Sequence, residues 1–190
     1  MPESVLRFDI HLFAYMNGRW HTAWLDMLMP LVRNPYFWTP LYFFLLVFMI
    51  LNFRWKGWWW VLFFLAAFGI GDHLAASVVK PWIHRLRPCN DPVVAPYVRM
   101  LVRCGSGFSF PSNHAVNHFA MATFMYVTMR KVFARWIGIV FLWAFIVAYA
   151  QVYVGVHYPV DITGGALLGI LIGLVLAWIY NRKIGLQPEI

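Results

Sequence analysis

The chain has 190 residues, of which 62% are hydrophobic, 19% aromatic and only 12% charged. Soluble domains run at about 45–50% apolar and about 25% charged residues, so this composition excludes disorder and an ordinary soluble globule. Fifteen Lys and Arg against seven Asp and Glu give a formal net charge of +8, which calls for an anionic partner or an anionic leaflet. The basic residues are split among separate connections instead of lining one face, so nucleic acid is excluded as a partner. Long unbroken apolar runs, without the alternation of barrel strands, predict a helical protein of the bilayer.

In chain order, residues 5–16 predict an amphipathic helix lying in the membrane interface, and residues 20–31 a short sixth span. Residues 35–53 form an uncharged span, and residues 58–79 a span interrupted only by Asp72 and His73. Residues 115–129 give a shorter span, followed by uncharged spans at 136–156 and 162–180. Each strong run can cross a hydrocarbon core of about 30 Å at 1.5 Å per residue. The expected fold is all-α: a polytopic membrane helix bundle of about six transmembrane helices with an N-terminal interfacial helix, forming one domain over residues 1–190.

Arg54, Lys56, Arg130, Lys131, Arg135, Arg182 and Lys183 fall on one side of this topology with no acid among them. The positive-inside rule makes that side cytoplasmic, with both termini on it. The connection 81–110 faces the exterior or periplasm of the cell (inner) membrane. It carries Arg85, Arg87, Arg99 and Arg103 against a single Asp91, with Lys80 at its entry. That excess on the outer side predicts an anionic ligand.

Three islands converge there. Lys80 and Arg87 stand two helical turns apart, and a cation pair is stable with an anion between its members. Ser112, Asn113 and His114 open an apolar helix, with Ser112 a candidate N-cap, first-turn amides that suit an anion, and His114 able to donate a proton. His157 and Asp161 have the i, i+4 spacing at which a carboxylate orients an imidazole and leaves its other nitrogen nucleophilic. Taken singly, each island also reads as interfacial side chains or helix caps; together they spell phosphoryl transfer. No His/Cys ligand spacing is present and the cations oppose a metal, so neither metal nor cofactor is expected. Cys89 and Cys104, both in the outer connection, predict a disulfide. Gly165, Gly169 and Gly173 predict close helix packing within the chain first and a homodimer second. Asp72 is expected to serve structural hydrogen bonding.

On these residues the chain resembles the type 2 phosphatidic acid phosphatase family, which shares its site with vanadium haloperoxidases. The family pattern is Lys, six residues, Arg-Pro; then Pro-Ser-Gly-His; then Ser-Arg, five residues, His, three residues, Asp. The chain meets it at Lys80, Arg87 and Pro88, at Pro111, Ser112 and His114, and at His157 and Asp161, over residues 58–180. The resemblance implies that His157 attacks phosphorus and Asp161 holds it. By the same resemblance His114 serves the leaving group and then water, and Lys80, Arg87, Ser112 and Asn113 hold phosphate oxygens. Two positions depart from the pattern. Asn113 replaces glycine, and Ala150-Gln151 replaces Ser-Arg, which leaves Gln151 as a neutral donor and predicts that Arg85 or Arg103 supplies the charge. The function implied is a lipid phosphate phosphatase acting on phosphatidic acid, phosphatidylglycerol phosphate or undecaprenyl diphosphate through a phosphohistidine. A lipid-linked phosphotransferase and a non-enzymatic anionic-lipid-binding protein are the alternatives.

Overall fold

A computed structural model describes residues 3–186. The chain ends, residues 1–2 and 187–190, and with them the expected placement of the termini, lie outside the described residues. The order is α1 (Glu3–Gly18), α2 (Ala23–Val32), α3 (Thr39–His73), a π-helical stretch (Leu74–Val79), α4 (Lys80–Ile83), α5 (Asn113–Phe133), α6 (Ile139–Tyr153) and α7 (Pro159–Lys183). No strand occurs among the described residues. Three helical stretches there are long and apolar enough to cross a bilayer: Pro35–Ile83, Trp136–Tyr153 and Pro159–Lys183.

The first of these is bent double. Arg54 leaves helical geometry at φ 49°, ψ −126°, and beyond it the chain returns along itself. Gly57 packs so tightly on the preceding limb that a Cβ there would lie 1.9 Å from the Met49 carbonyl oxygen, which only glycine tolerates. Tyr42 meets Phe64 across this hairpin, with ring centroids 6.5 Å apart. The two apolar runs expected at 35–53 and 58–79 are its two limbs.

α5 is the central post of the bundle. Residues 115–129 predict a short span, but the helix runs from Asn113 to Phe133 and buries Asn117, His118, Thr123 and Thr128 beside its apolar residues. Those polar groups lower its hydropathy because it faces protein on most sides instead of lipid. α7 runs parallel to it, and the three-glycine stripe is the seam. A Cβ at Gly165 would meet Ala115 Cβ at 2.9 Å, one at Gly169 the Val116 oxygen at 2.4 Å, and one at Gly173 the Ala120 oxygen at 2.5 Å. The stripe is therefore filled by α5 of the same chain, which leaves it closed to a second copy. α6 packs on α5 from the other side, with His118 edge-on to Trp143 at 4.9 Å.

α6 ends at Tyr153, short of the expected 156. Gly155 takes φ +88°, and the Val156 and His157 amides both turn back to the Gln151 carbonyl. α1 also differs from a purely interfacial helix. Its buried stripe is Asp9, Phe13 and Asn17, and two of these are polar. Asn17 bonds the Arg99 amide and carbonyl and the Tyr153 carbonyl, which docks α1 onto the connection after α4. α2 starts at the Thr22 cap, whose oxygen accepts from the Leu25 amide. It is pinned by Asp26, which pairs with Arg99 and accepts from the Tyr153 hydroxyl.

These directions sort the molecule into two ends. The Arg54 bend, the end of α5 and the end of α7 gather at one end, where Tyr180 bonds the Lys56 carbonyl and Phe48 meets Phe133. The ends of α4 and α6 and the beginnings of α5 and α7 gather at the other.

Candidate active site

At that second end the starts of α5 and α7, the turn after α6 and the connection after α4 enclose a polar basin of about 440 Å³. Each element contributes by its terminus. Pro159 at the first turn of α7 and Asp161 two residues later fit a helix start, and Asp161 accepts from the Tyr158 amide at 2.8 Å. That bond fixes the carboxylate beneath His157, whose Nδ1 lies 3.5 Å from Asp161 Oδ2. Ser109 completes the support: its hydroxyl donates to Asp161 and lies 3.4 Å from His157 Nδ1. With Nδ1 turned to oxygen acceptors, Nε2 is left as the lone-pair nitrogen, and Arg87 Nη1 stands 3.2 Å from it. Burial lowers His157 to about 4, against the raising effect of Asp161. The imidazole is thus neutral, the form a nucleophile needs.

Arg87 is held by the Val156 carbonyl at 3.2 Å and the Gly107 carbonyl at 3.3 Å. Lys80 is held by the Phe108 carbonyl at 2.8 Å. Both line the basin, as do His114, Asn113, Gln151 and the exposed Arg103. Of the residues expected to bind phosphate, all but Arg85 and Ser112 are therefore brought together.

Arg85 lies outside the lining. Its guanidinium bonds Asp161 Oδ1 at 2.8 Å and Asp9 Oδ2 at 2.5 Å and sits over the Tyr158 ring. It holds the carboxylate that holds His157, and so does not replace the missing cation. Ser112 occupies the cap position of α5, but its fully buried hydroxyl makes no cap bond and does not line the basin. Asn113 donates to Asp72 Oδ1 at 2.7 Å, and Asn117 to the same oxygen at 3.2 Å, so Asp72 orients α5 against α3 instead of entering the basin. Cys89 and Cys104 are disulfide-bonded and close the loop beside Arg103 and Gly105.

Four side chains essential to this geometry escape a reading of motifs: Asp9, Asp26, Ser109 and Arg33. Arg33, at the end of α2, lines the basin and donates through Nε to Gln151 Oε1 at 3.2 Å. The connection 81–110 contains one acid for four arginines, yet Asp26 and Asp9 reach it from α2 and α1. Arg85 and Arg99 are thereby neutralised, while among the described residues no carboxylate lines the basin. Among the described residues no cluster of three or more His, Cys, Asp or Glu side chains is placed to hold a metal.

Opening beside the basin, and sharing Asn113 and His114 with it, is a second cavity of about 550 Å³. It lies between the α3 hairpin and α5 and is lined mainly by Tyr42, Leu46, Trp60, Phe64, Phe68 and Met121. The rims facing outward, Phe43, Leu65 and Phe68, are exposed, as a lipid-facing surface would be.

A helical bundle with a cationic, histidine-bearing basin at one end and a hydrocarbon-lined cavity beside it defines a membrane enzyme of phosphorylated lipids. The chain belongs to the PAP2 superfamily, whose pattern it matches over residues 57–184. It is 34% identical to the lipid A 4'-phosphatase of Bacteroides thetaiotaomicron over 173 residues, 89% of this chain and 75% of that one. It is 32% identical to the undecaprenyl-diphosphatase of Sulfolobus acidocaldarius, covering 88% of this chain and 76% of that protein. Its fold resembles the crystal structure of a transmembrane PAP2-type phosphatidylglycerolphosphate phosphatase from Bacillus subtilis. There the TM-score is 0.77 at 25% identity, over 98% of this chain and 90% of the other.

Proposed function

We propose that this protein is an integral membrane phosphatase, one domain over its length, that hydrolyses a phosphomonoester or diphosphate carried by a lipid. The observation that carries this reading is the junction at His114 and Asn113, where the cationic basin meets the apolar cavity. A molecule spanning that junction places its phosphate among Lys80, Arg87 and Arg103 and its hydrocarbon among Phe64, Phe68 and Trp60. The names of the relatives point the same way: lipids with a terminal phosphate, of the lipid A, polyprenyl diphosphate or phosphatidylglycerol phosphate kind.

The chemistry follows from the geometry. His157 Nε2 attacks phosphorus, a P–N bond forms, and the P–O bond to the lipid breaks in line. His114 delivers a proton to the departing oxygen. It then takes one from water, whose oxygen attacks phosphorus, breaks the P–N bond and releases inorganic phosphate with His157 neutral again. Arg87, beside Nε2, and Lys80 neutralise charge on the equatorial oxygens, and each such prepositioned donor is worth about a hundredfold to a thousandfold in rate. Asp161 stabilises the imidazolium character that develops on His157.

Five crossings, in place of the six that the apolar runs suggest, and an outward-facing basin complete the proposal. The two α3 limbs, α5, α6 and α7 are the crossings, while the ten-residue α2, tied to Tyr153 at its start and to Gln151 at its end, stays with α1 at the basin end. The test is phosphate release by the detergent-solubilised protein from phosphatidic acid, phosphatidylglycerol phosphate, undecaprenyl diphosphate and lipid A. At least one should be hydrolysed, and His157→Ala should lower turnover by at least about a hundredfold and abolish labelling of the protein by radioactive substrate. Retained labelling in His157→Ala would refute the nucleophile. Transfer of the label to an added alcohol in place of water would make the protein a phosphotransferase.

A further inference from the structure

We propose that Arg33 is a phosphate-binding residue of this site, donated by the end of α2 and held in place by Gln151. The inference rests on the phosphatase reading and names a ligand of its substrate that the sequence motifs do not contain.

Four cations line the basin: Arg33, Lys80, Arg87 and Arg103. Arg33 differs from the paired arginines of this end, because among the described residues no carboxylate pairs with it. Like charges drawn together without acids are costly unless an anion lies between them. The neighbouring arginines show the alternative. Arg85 and Arg99 stay outside the basin lining, and each is paired with aspartate.

Arg33 is also built to point where it does. α2 is anchored by the Asp26–Arg99 pair and the Tyr153 hydroxyl, and Met29 packs against Ala150, Tyr153 and Val154 of α6 and its turn. The helix ends with Arg33 as its cap residue, the Arg33 amide donating to the Met29 carbonyl. Asn34 then caps the next turn, accepting from the Tyr36 amide at 3.1 Å, and Trp38 Nε1 returns to the Val32 carbonyl at 2.7 Å. Both neighbours of Arg33 in sequence are thereby fixed.

The fully buried Gln151 receives Nε alone. The two terminal nitrogens of Arg33 bond nothing among the described residues and remain for a ligand. A guanidinium offers planar, paired donors that match a phosphate edge. Gln151 itself is tied through Nε2 to the Val147 carbonyl at 3.3 Å, so its Oε1 has a fixed direction. The neutral amide thus positions a charge that arrives from a distant part of the chain, outside the 57–184 match. The PAP2 pattern would place that charge at position 151 itself.

The test uses the full chain in detergent, with turnover on the best lipid phosphate and with inorganic phosphate as the binding probe. Arg33→Ala should lower kcat/KM by about tenfold to a hundredfold, as expected for one charge-assisted hydrogen bond. It should weaken inhibition by phosphate in proportion. Gln151→Arg in the Arg33→Ala background should recover most of that loss, because the guanidinium returns from the other partner's position. In the otherwise native protein Gln151→Arg should reduce activity, since two guanidiniums then compete for one place. Arg33→Ala activity within twofold of native, or a double variant no better than Arg33→Ala, would overturn the proposal. If Arg33→Ala does not fold, Arg33→Gln carries the same expectations. If the native protein hydrolyses none of the lipids, the phosphatase reading fails on its own. The Arg33 assignment is then still decided by whether phosphate raises the unfolding temperature of the native protein but not of the Arg33 variant.

Discussion

At the scale of single residues, the arginines of the connection 81–110 divide into two settings that their sequence positions do not distinguish. Arg87 faces His157 Nε2, whereas Arg85, two residues earlier, faces away from the basin and bridges Asp161 and Asp9. A carboxylate with donors from Arg85, Ser109 and the Tyr158 amide has little freedom left, so it fixes the rotation of the His157 ring. Arg85→Ala would leave two buried carboxylates without their cation, a loss of about 3–5 kcal/mol in comparable buried pairs. The expected result is a lower unfolding temperature and a fall in kcat, with KM and the inhibition constant for phosphate little changed. Equal loss of kcat and of phosphate inhibition would show that Arg85 contacts the substrate after all.

At the scale of elements, the proposed catalysis depends on the register between α5 and α7, because His114 opens one helix and His157 precedes the other. The glycine seam sets that register. Gly169→Ala would put a methyl group 2.4 Å from the Val116 oxygen, and the helices must part. Overpacking of this kind costs about 1–3 kcal/mol, and a shift of about 1 Å at the reacting groups can cost about a hundredfold in rate. Gly69→Ala, within α3, meets nothing within 4 Å and should be neutral or stabilising by about 0.5–1 kcal/mol through helix propensity. Thermal unfolding in detergent and kcat together test the pair; equal behaviour of the two variants would refute a register role for the seam. The same elements show what the sequence made legible. The apolar runs give the limbs of α3, α6 and α7 to within a few residues, and the motifs bring Lys80, Arg87, His114 and His157 to one basin. The central position of α5 was hidden by its polar residues, of which Asn113 and Asn117 donate to Asp72, Thr128 accepts from Trp60 and His118 bonds the His114 carbonyl in the interior. Asp9 and Asn17 were hidden for the opposite reason. A hydrophobicity pattern places such residues in water, and only the arrival of Arg85 and Arg99 from 76 and 82 residues away accounts for them in the core.

At the scale of the whole molecule, the charges are distributed by end. Arg54, Lys56, Arg130, Lys131, Arg182 and Lys183 follow the Arg54 bend and the ends of α5 and α7, away from the basin. Exposed tryptophans accompany both ends: Trp55, Trp58, Trp136 and Trp178 with these basic residues, Trp20, Trp24 and Trp82 with the basin. Aromatic belts of this kind mark the two membrane interfaces. The basin end is rich in arginine as well, and a count of cations alone would leave the orientation balanced. The difference lies in pairing. At the basin end Arg85 and Arg99 are neutralised by Asp9, Asp161 and Asp26, and Arg33, Lys80, Arg87 and Arg103 converge on the basin, so on the proposed reading the positive-inside rule retains the opposite end in the cytoplasm. The basin is then expected to face outward, and its disulfide supplies the reporter. Cys89 and Cys104 are the only cysteines in the chain and both lie in the basin's rim. After mild reduction of sealed, right-side-out vesicles, a membrane-impermeant maleimide should label the protein without permeabilisation, and the unreduced protein should stay unlabelled. Labelling confined to permeabilised or inverted vesicles would reverse the orientation and put the basin on the cytoplasmic leaflet.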